Sequence, residues 1–134
     1  MFEHVWNERW CAWIVAPPGR VPEPGDLERA DLTFVWGFLM DPHFVQGVTG
    51  RPIPFAPAVL RGYRRERVVR DAVPGFRLVA DPEGIVTGVV LIGVSESEAS
   101  ALDRFEQVPR AMVRKRVEVT VGDLLRRAHI YMTA

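Results

Sequence analysis

The architecture of this chain turns on "GFRLVADPEGIVTGVVLIGV", residues 75–94. Two apolar runs flank Asp81-Pro82-Glu83-Gly84, whose proline and glycine fit a tight turn. The stretch therefore predicts a β-hairpin. Its second arm, Ile85 to Val94, carries Gly88 and Gly93. Glycine inside a strand marks a bulge or the close approach of another backbone.

Before this segment, "PAVLRGYRRERVVR" (57–70) reads as a strand carrying many arginines, and "LTFVWG" (32–37) as a short buried strand stopped by Gly37. Between them, Asp41 and Pro42 give the cap and first position of a helix that Gly47 and Gly50 keep brief. After it, Ser95 and Glu98 form a capping box that opens a second helix, with Glu96 adding negative charge at its positive pole. Val108-Pro109 is expected to end that helix. "MVRKRVEVTVGDLLRRAHIYM" (112–132) then holds two strand-like runs around Gly122-Asp123, with mostly alternating valines. Strands predominate and no regular crossover helices separate them, which excludes a doubly wound sheet. A small α+β domain results, its sheet curled or partly closed with helices at its side.

The N-terminal region reads differently. Residues 17–26, "PPGRVPEPGD", hold four prolines and two glycines, which exclude helix and interior strand. Residues 1–30 are thus read as an extension with a proline-rich linker, and 31–134 as the main domain. Trp6, Trp10 and Trp13 predict packing onto something, a partner subunit included. The apolar run Trp10 to Ala16 is too short to span a bilayer and wrongly flanked for a signal peptide. The expectation is a cytoplasmic protein with no membrane association.

Composition narrows the classes further. With 48% hydrophobic and 25% charged residues among 134, the chain can bury a core and is not disordered. Lysine plus arginine and aspartate plus glutamate are both 17, for a net charge of zero. That removes the footprint of a general nucleic-acid binder and leaves a homodimer open. Arg61, Arg64, Arg65, Arg67 and Arg70 surround Tyr63, but Glu66 interrupts them, so they read as a solvated strand face. His4, His43 and His129 lack metal-ligand spacing. Cys11, the single cysteine, is expected to pack rather than react. No glycine-rich phosphate loop or nucleophile elbow is present.

One residue breaks its helix pattern. Ala99, Leu102, Phe105 and Glu106 share a stripe on the Ser95 helix, so Glu106 follows core-facing residues while carrying a carboxylate. Burial and the helix's negative pole would both raise its pKa, toward the range general acid–base work uses. The alternative is a helix that frays at Phe105 and lets Glu106 reach water.

"FVWGFLM" (34–40), "PAVLRGYRRERV", "VPGFRLVADPEGIVTGVVLIGVSESEASALDRFEQV" and "RKRVEVTV" occur in the order and spacing of the blocks of the gamma-glutamyl cyclotransferase-like family. The chain resembles that family over residues 32–134. The resemblance implies a six-stranded, mixed, barrel-like sheet flanked by short helices, and no metal or organic cofactor. It implies conversion of a gamma-glutamyl amine or peptide into 5-oxoproline and a released amine, a lyase- or transferase-type reaction. Leu102, Asp103 and Glu106 match the motif of the catalytic glutamate, with Glu106 as general base and acid. Trp36, Gly37, Phe38 and Leu39 match the substrate-binding loop, whose backbone N–H groups would hold a carboxylate or oxyanion. Trp36 replaces the family's usual tyrosine and Phe38 its usual serine or threonine. A tyrosine that often follows the glutamate is missing from Gln107-Val108-Pro109-Arg110; Arg110 would pair with a substrate carboxylate or simply be solvated. The rival readings are an inactive small-molecule-binding module walled by Trp36 and Phe38, and an interaction protein that dimerises through its tryptophans.

Overall fold

The computed structural model describes residues 2–70 and 72–133. The chain runs β1 (Glu3–Asn7), β2 (Ala12–Ala16), α1 (Pro24–Arg29), β3 (Leu32–Val35), a 3-10 turn (Phe38–Met40), α2 (Pro42–Thr49), β4 (Phe55–Arg70), β5 (Val73–Ile92), α3 (Glu96–Phe105), β6 (Met112–Val121) and β7 (Leu124–Thr133). The sheet order is β1-β2-β4-β5-β3-β7-β6, and β6 returns to pair with β4. Five strands, β4-β5-β3-β7-β6, thus close on themselves, and the β1–β2 hairpin lies outside the ring. The architecture is the expected α+β barrel, but with five strands in the closed ring rather than six. The sheet is mixed because β3 runs parallel to β7 while its other pairings are antiparallel.

The predicted hairpin turn at Asp81–Gly84 is not a hairpin turn. β5 runs through it, and both apolar arms pair with the one long strand β4. Arg61 lies opposite Ile85 and Tyr63 opposite Ala80, so Gly62 faces the whole of Asp81–Gly84 as a large bulge. The local turn chemistry is still present, since Glu83 N–H donates to Asp81 Oδ1 at 3.1 Å. It bends the strand instead of reversing it, as bulges do. A Cβ on Gly84 would overlap the Tyr63 carbonyl, so glycine lets the two backbones meet there. The pairing reverses beyond Arg70↔Val73.

Side-chain alternation along these strands divides the core in two. Leu32 and Phe34, Ala56, Ala58 and Leu60, Val86 and Val90, and Ala128, Ile130 and Met132 fill the barrel. Val35, Val89, Leu91 and Tyr131 form a second cluster with Leu39, Val45 and Ile53 and with Leu102 of α3. Gly88 is a close approach, as its strand context suggests: a Cβ would overlap the Val35 carbonyl and meet the Phe34 ring. α2 starts as predicted, with Asp41 accepting from His43 N–H at 2.9 Å, and ends on Gly50 at φ 89°.

Two N-terminal expectations change. α1 begins inside the proline-rich stretch, because Pro24 suits the first turn of a helix. Trp10 is fully buried in the barrel core, where the Arg126 guanidinium lies 4.9 Å from its ring centroid. Its carbonyl accepts from Asp123 N–H at 3.1 Å. Trp6 and Trp13 stay about half exposed and meet edge-on at 5.4 Å. Cys11 does not pack: it is exposed in the β1–β2 turn at φ 50°, the buried place having gone to its neighbour. Among the described residues no helix is long and apolar enough to cross a membrane.

Candidate active site

The capping box sets where α3 begins. Ser95 Oγ accepts from Glu98 N–H at 3.3 Å and Ser95 N–H donates to Glu98 Oε1 at 2.8 Å. Glu98 is itself buried and holds Arg51, which follows α2, through Nε and Nη2. Burial alone would raise its pKa, but the bonds from Arg51 and Ser95 outweigh that and hold it below the ordinary value. One side chain therefore caps α3 and ties it to the end of α2.

The other end of α3 sets where Glu106 points. The helix stops before Val108-Pro109, because Gln107 takes the left-handed conformation at φ 59°. Gln107 N–H donates to Arg104 O at 3.2 Å and Val108 N–H to Asp103 O at 3.0 Å. These two bonds make a Schellman motif with glutamine in the place glycine usually fills. Glu106 is its C-cap residue, held at the mouth of a cavity of 440 Å³. It neither frays into water nor disappears into the core: it is half-buried, and burial pushes its carboxyl pKa up.

That cavity also takes in Trp36, Gly37, Phe38 and Leu39, so the predicted acid and the predicted loop share one hollow. The loop is a single 3-10 turn, closed by Met40 N–H donating to Gly37 O at 3.0 Å. N–H groups in the first turn of a helix have no partner within it, which leaves such a turn able to bind an anion. Leu39 is buried and anchors the turn from behind. Phe38 lines the hollow but is 75% exposed, stacking on Phe44 at 5.9 Å. The ring therefore edges the cavity instead of filling it.

Two residues of the site carried no functional reading in the sequence. Arg65 is not part of a solvated face: its guanidinium donates to Trp36 O at 3.2 and 2.8 Å and to Thr87 O at 2.7 Å, and it lines the cavity. Its neighbours Arg61, Arg64 and Arg67 are exposed, as expected. The available signal was spacing, since Arg65 lies two residues beyond Tyr63 and so shares its strand face. Tyr131, from β7, donates to Asp103 Oδ1 at 2.6 Å while its carbonyl accepts from the Trp36 indole N–H at 3.1 Å. Burial first, and then the Asp103 bond, push its phenol far up. Arg110 does not line the cavity and is exposed. Among the described residues no three His, Cys, Asp or Glu side chains are grouped to hold a metal ion.

A closed mixed barrel with a half-buried acid and a helical-turn loop lining one cavity defines a class, and comparison with known proteins gives it a family. A family model described as gamma-glutamyl cyclotransferase, AIG2-like, matches residues 33–134, and the chain belongs to that family. AIG2-like protein C of Arabidopsis thaliana is 37% identical over 90 residues, which is 67% of this chain and 50% of that protein. Protein AIG2 C of the same plant is 33% identical over 73 residues, 54% and 43% of the two chains. The chain thus spans about half the length of the curated relatives it matches. A solution structure of another Arabidopsis thaliana protein superposes with a TM-score of 0.66 at 27% identity, covering 78% of this chain and 68% of that one. A gamma-glutamyl cyclotransferase structure superposes with a TM-score of 0.68, covering 78% and 67%; at 17% identity it speaks for the fold alone.

Proposed function

We propose that this chain converts a gamma-glutamyl amine or peptide into 5-oxoproline and a free amine by intramolecular aminolysis. The observation that carries the reading is the position of Glu106, half-buried in a cavity that it shares with the Trp36–Leu39 turn. Glu106 takes a proton from the substrate's α-ammonium, and the freed α-amine attacks the γ-carbonyl carbon. A five-membered tetrahedral intermediate forms, with negative charge on the former carbonyl oxygen. Backbone N–H groups of the turn are the donors suited to that charge. Collapse breaks the bond to the leaving nitrogen, which receives the proton from Glu106. The ring nitrogen's surplus proton follows the same route, so 5-oxoproline and an ammonium leave. A carboxyl with a raised pKa both accepts and returns protons more readily near neutrality. Nucleophile and electrophile belong to one bound molecule, so holding it folded supplies much of the rate.

Arg65 supports the reading from another side. Among the described residues that line the cavity it is the one cation, and it is suited to the substrate's α-carboxylate. The test is release of 5-oxoproline from a panel of gamma-glutamyl amines and peptides by the wild-type protein and by Glu106→Gln. Turnover that the substitution abolishes supports the assignment. Turnover that survives it, or none on any member of the panel, defeats it.

A further inference from the structure

The cavity's mouth is aromatic in a way the chemistry above does not require. Phe38, Phe76 and Phe105 line it while remaining 75%, 57% and 37% exposed. Two of the rings are held in place: Phe38 stacks on Phe44 with planes 21° apart, and Phe105 meets Phe44 edge-on at 5.2 Å. The third, Phe76, comes from β5 on the far side of the bulge. The mouth is thus a preformed apolar wall drawn from three separate elements, continuous with the cavity behind it.

The charges around the cavity decide what that wall is suited to. Among the described lining residues only Arg65 and Glu106 carry charge, and the glutamyl part of a substrate uses both, one for its carboxylate and one for its amine. The Tyr131 hydroxyl is already given to Asp103. Nothing there is left to solvate a second carboxylate or ammonium, whereas three rings are available to cover apolar surface.

We infer that the Phe38–Phe76–Phe105 mouth selects gamma-glutamyl substrates whose leaving amine bears an uncharged, aromatic arm. The inference rests on the proposed reaction for the identity of the glutamyl end, and its test separates the two. Glu106→Gln protein, which keeps the walls of the cavity, is titrated calorimetrically with gamma-glutamyl phenethylamide, gamma-glutamyl ethylamide and gamma-glutamyl-ε-lysine. Covering one phenyl ring corresponds to about a tenfold gain or more, so the phenethylamide is expected to bind at least about tenfold tighter than either of the others. Phe38→Ser on the same background should cut that ratio about tenfold, and Phe76→Ser serves the same purpose if the first variant does not fold. Equal affinities, tightest binding of the lysine compound, or no detectable binding of the phenethylamide overturns the inference. If the aromatic preference holds but wild-type protein releases 5-oxoproline from none of the three, the mouth stands and the reaction falls. If wild type turns over all three without preference, the reaction stands and the mouth falls. A wild-type dimer that Phe38→Ser converts to monomer would show the rings to be covered by a second copy, which also overturns it.

Discussion

The Tyr131 hydroxyl donates to Asp103 Oδ1 at 2.6 Å, and Asp103 lies one helical turn before Glu106. The same tyrosine accepts the Trp36 indole N–H on its carbonyl. One residue of β7 thereby holds both the helix that carries the acid and the strand end that leads into the loop. Arg114 Nη1 lies 3.6 Å from the same Asp103 oxygen, so the aspartate has a second, weaker hold.

Tyr131→Phe removes the shorter of these links without emptying the core. A hydrogen bond to a charged group contributes about 1.5–3 kcal/mol, and Arg114 offsets part of the loss. We expect urea denaturation to show a drop of about 1–2 kcal/mol. On the proposed reaction, turnover should fall more than KM rises, because Glu106 is displaced while the Trp36–Leu39 turn keeps its backbone. An unchanged denaturation midpoint would show that the link contributes nothing.

Glu106 should weaken the fold it serves. Its folded pKa lies above its unfolded one, so across the interval between them the native state holds more protons than the unfolded state. Stability is therefore lost across that interval, and the cost is complete above the folded value. Glu106→Gln should be at least as stable as wild type at neutral pH, with the advantage vanishing in acid. On the proposed reaction, the rising limb of the wild-type pH–rate profile should likewise lie above the ordinary glutamate range. Guanidinium midpoints at pH 7 and pH 4 check the first point; a less stable variant at pH 7 contradicts it.

Glu98 behaves in the opposite sense. Its folded pKa lies below the unfolded one, so its stabilisation is present above the ordinary carboxylate range and lost as pH falls through the folded value. Glu98→Gln should cost about 1.5–3 kcal/mol at neutral pH, since it weakens both the cap and the Arg51 bond. Thermal melts across an acid titration should show the two proteins converging. Parallel curves would rule out the ionic contribution.

Two glycines should respond oppositely to alanine. Gly88→Ala pushes a methyl group into the Val35 carbonyl and the Phe34 ring and should cost about 1–3 kcal/mol. Gly47 sits inside α2 with open space around it, so Gly47→Ala should stabilise by about 0.5–1 kcal/mol. Melting temperatures that move in the same direction would refute this picture of barrel closure.

What could be read before the fold was known followed the range of the interactions concerned. The Asp41 and Ser95 caps and the strand pair around Gly122-Asp123 are local, and each is found where the pattern places it; the stripe that ends in Glu106 holds at buried Leu102 and half-buried Glu106 but not at Phe105, which is exposed. Asp81–Gly84 has genuine turn chemistry, but whether a turn reverses a chain depends on what lies opposite, and Gly62 is distant in sequence. Arg65 was concealed in a run of arginines because its partner, the Trp36 carbonyl, belongs to another strand end. Tyr131 supplies a phenol beside the acid from β7, where spacing along α3 gives no hint of it. Trp10 and Cys11 show the same limit: which of two neighbours turns inward is settled by the barrel, not by either residue's polarity.

Trp10 has a practical consequence for anyone trimming this protein. The family's boundary at residue 33 invites a shorter version beginning there, yet the indole ring fills the barrel like a stopper. Gly122 has no side chain where the Trp10 carbonyl presses against it. Cutting ahead of β3 would uncork the vessel, leaving a void about the size of one indole and a turn at 122–123 without its clasp. The dispensable-looking leader is the lid of the jar.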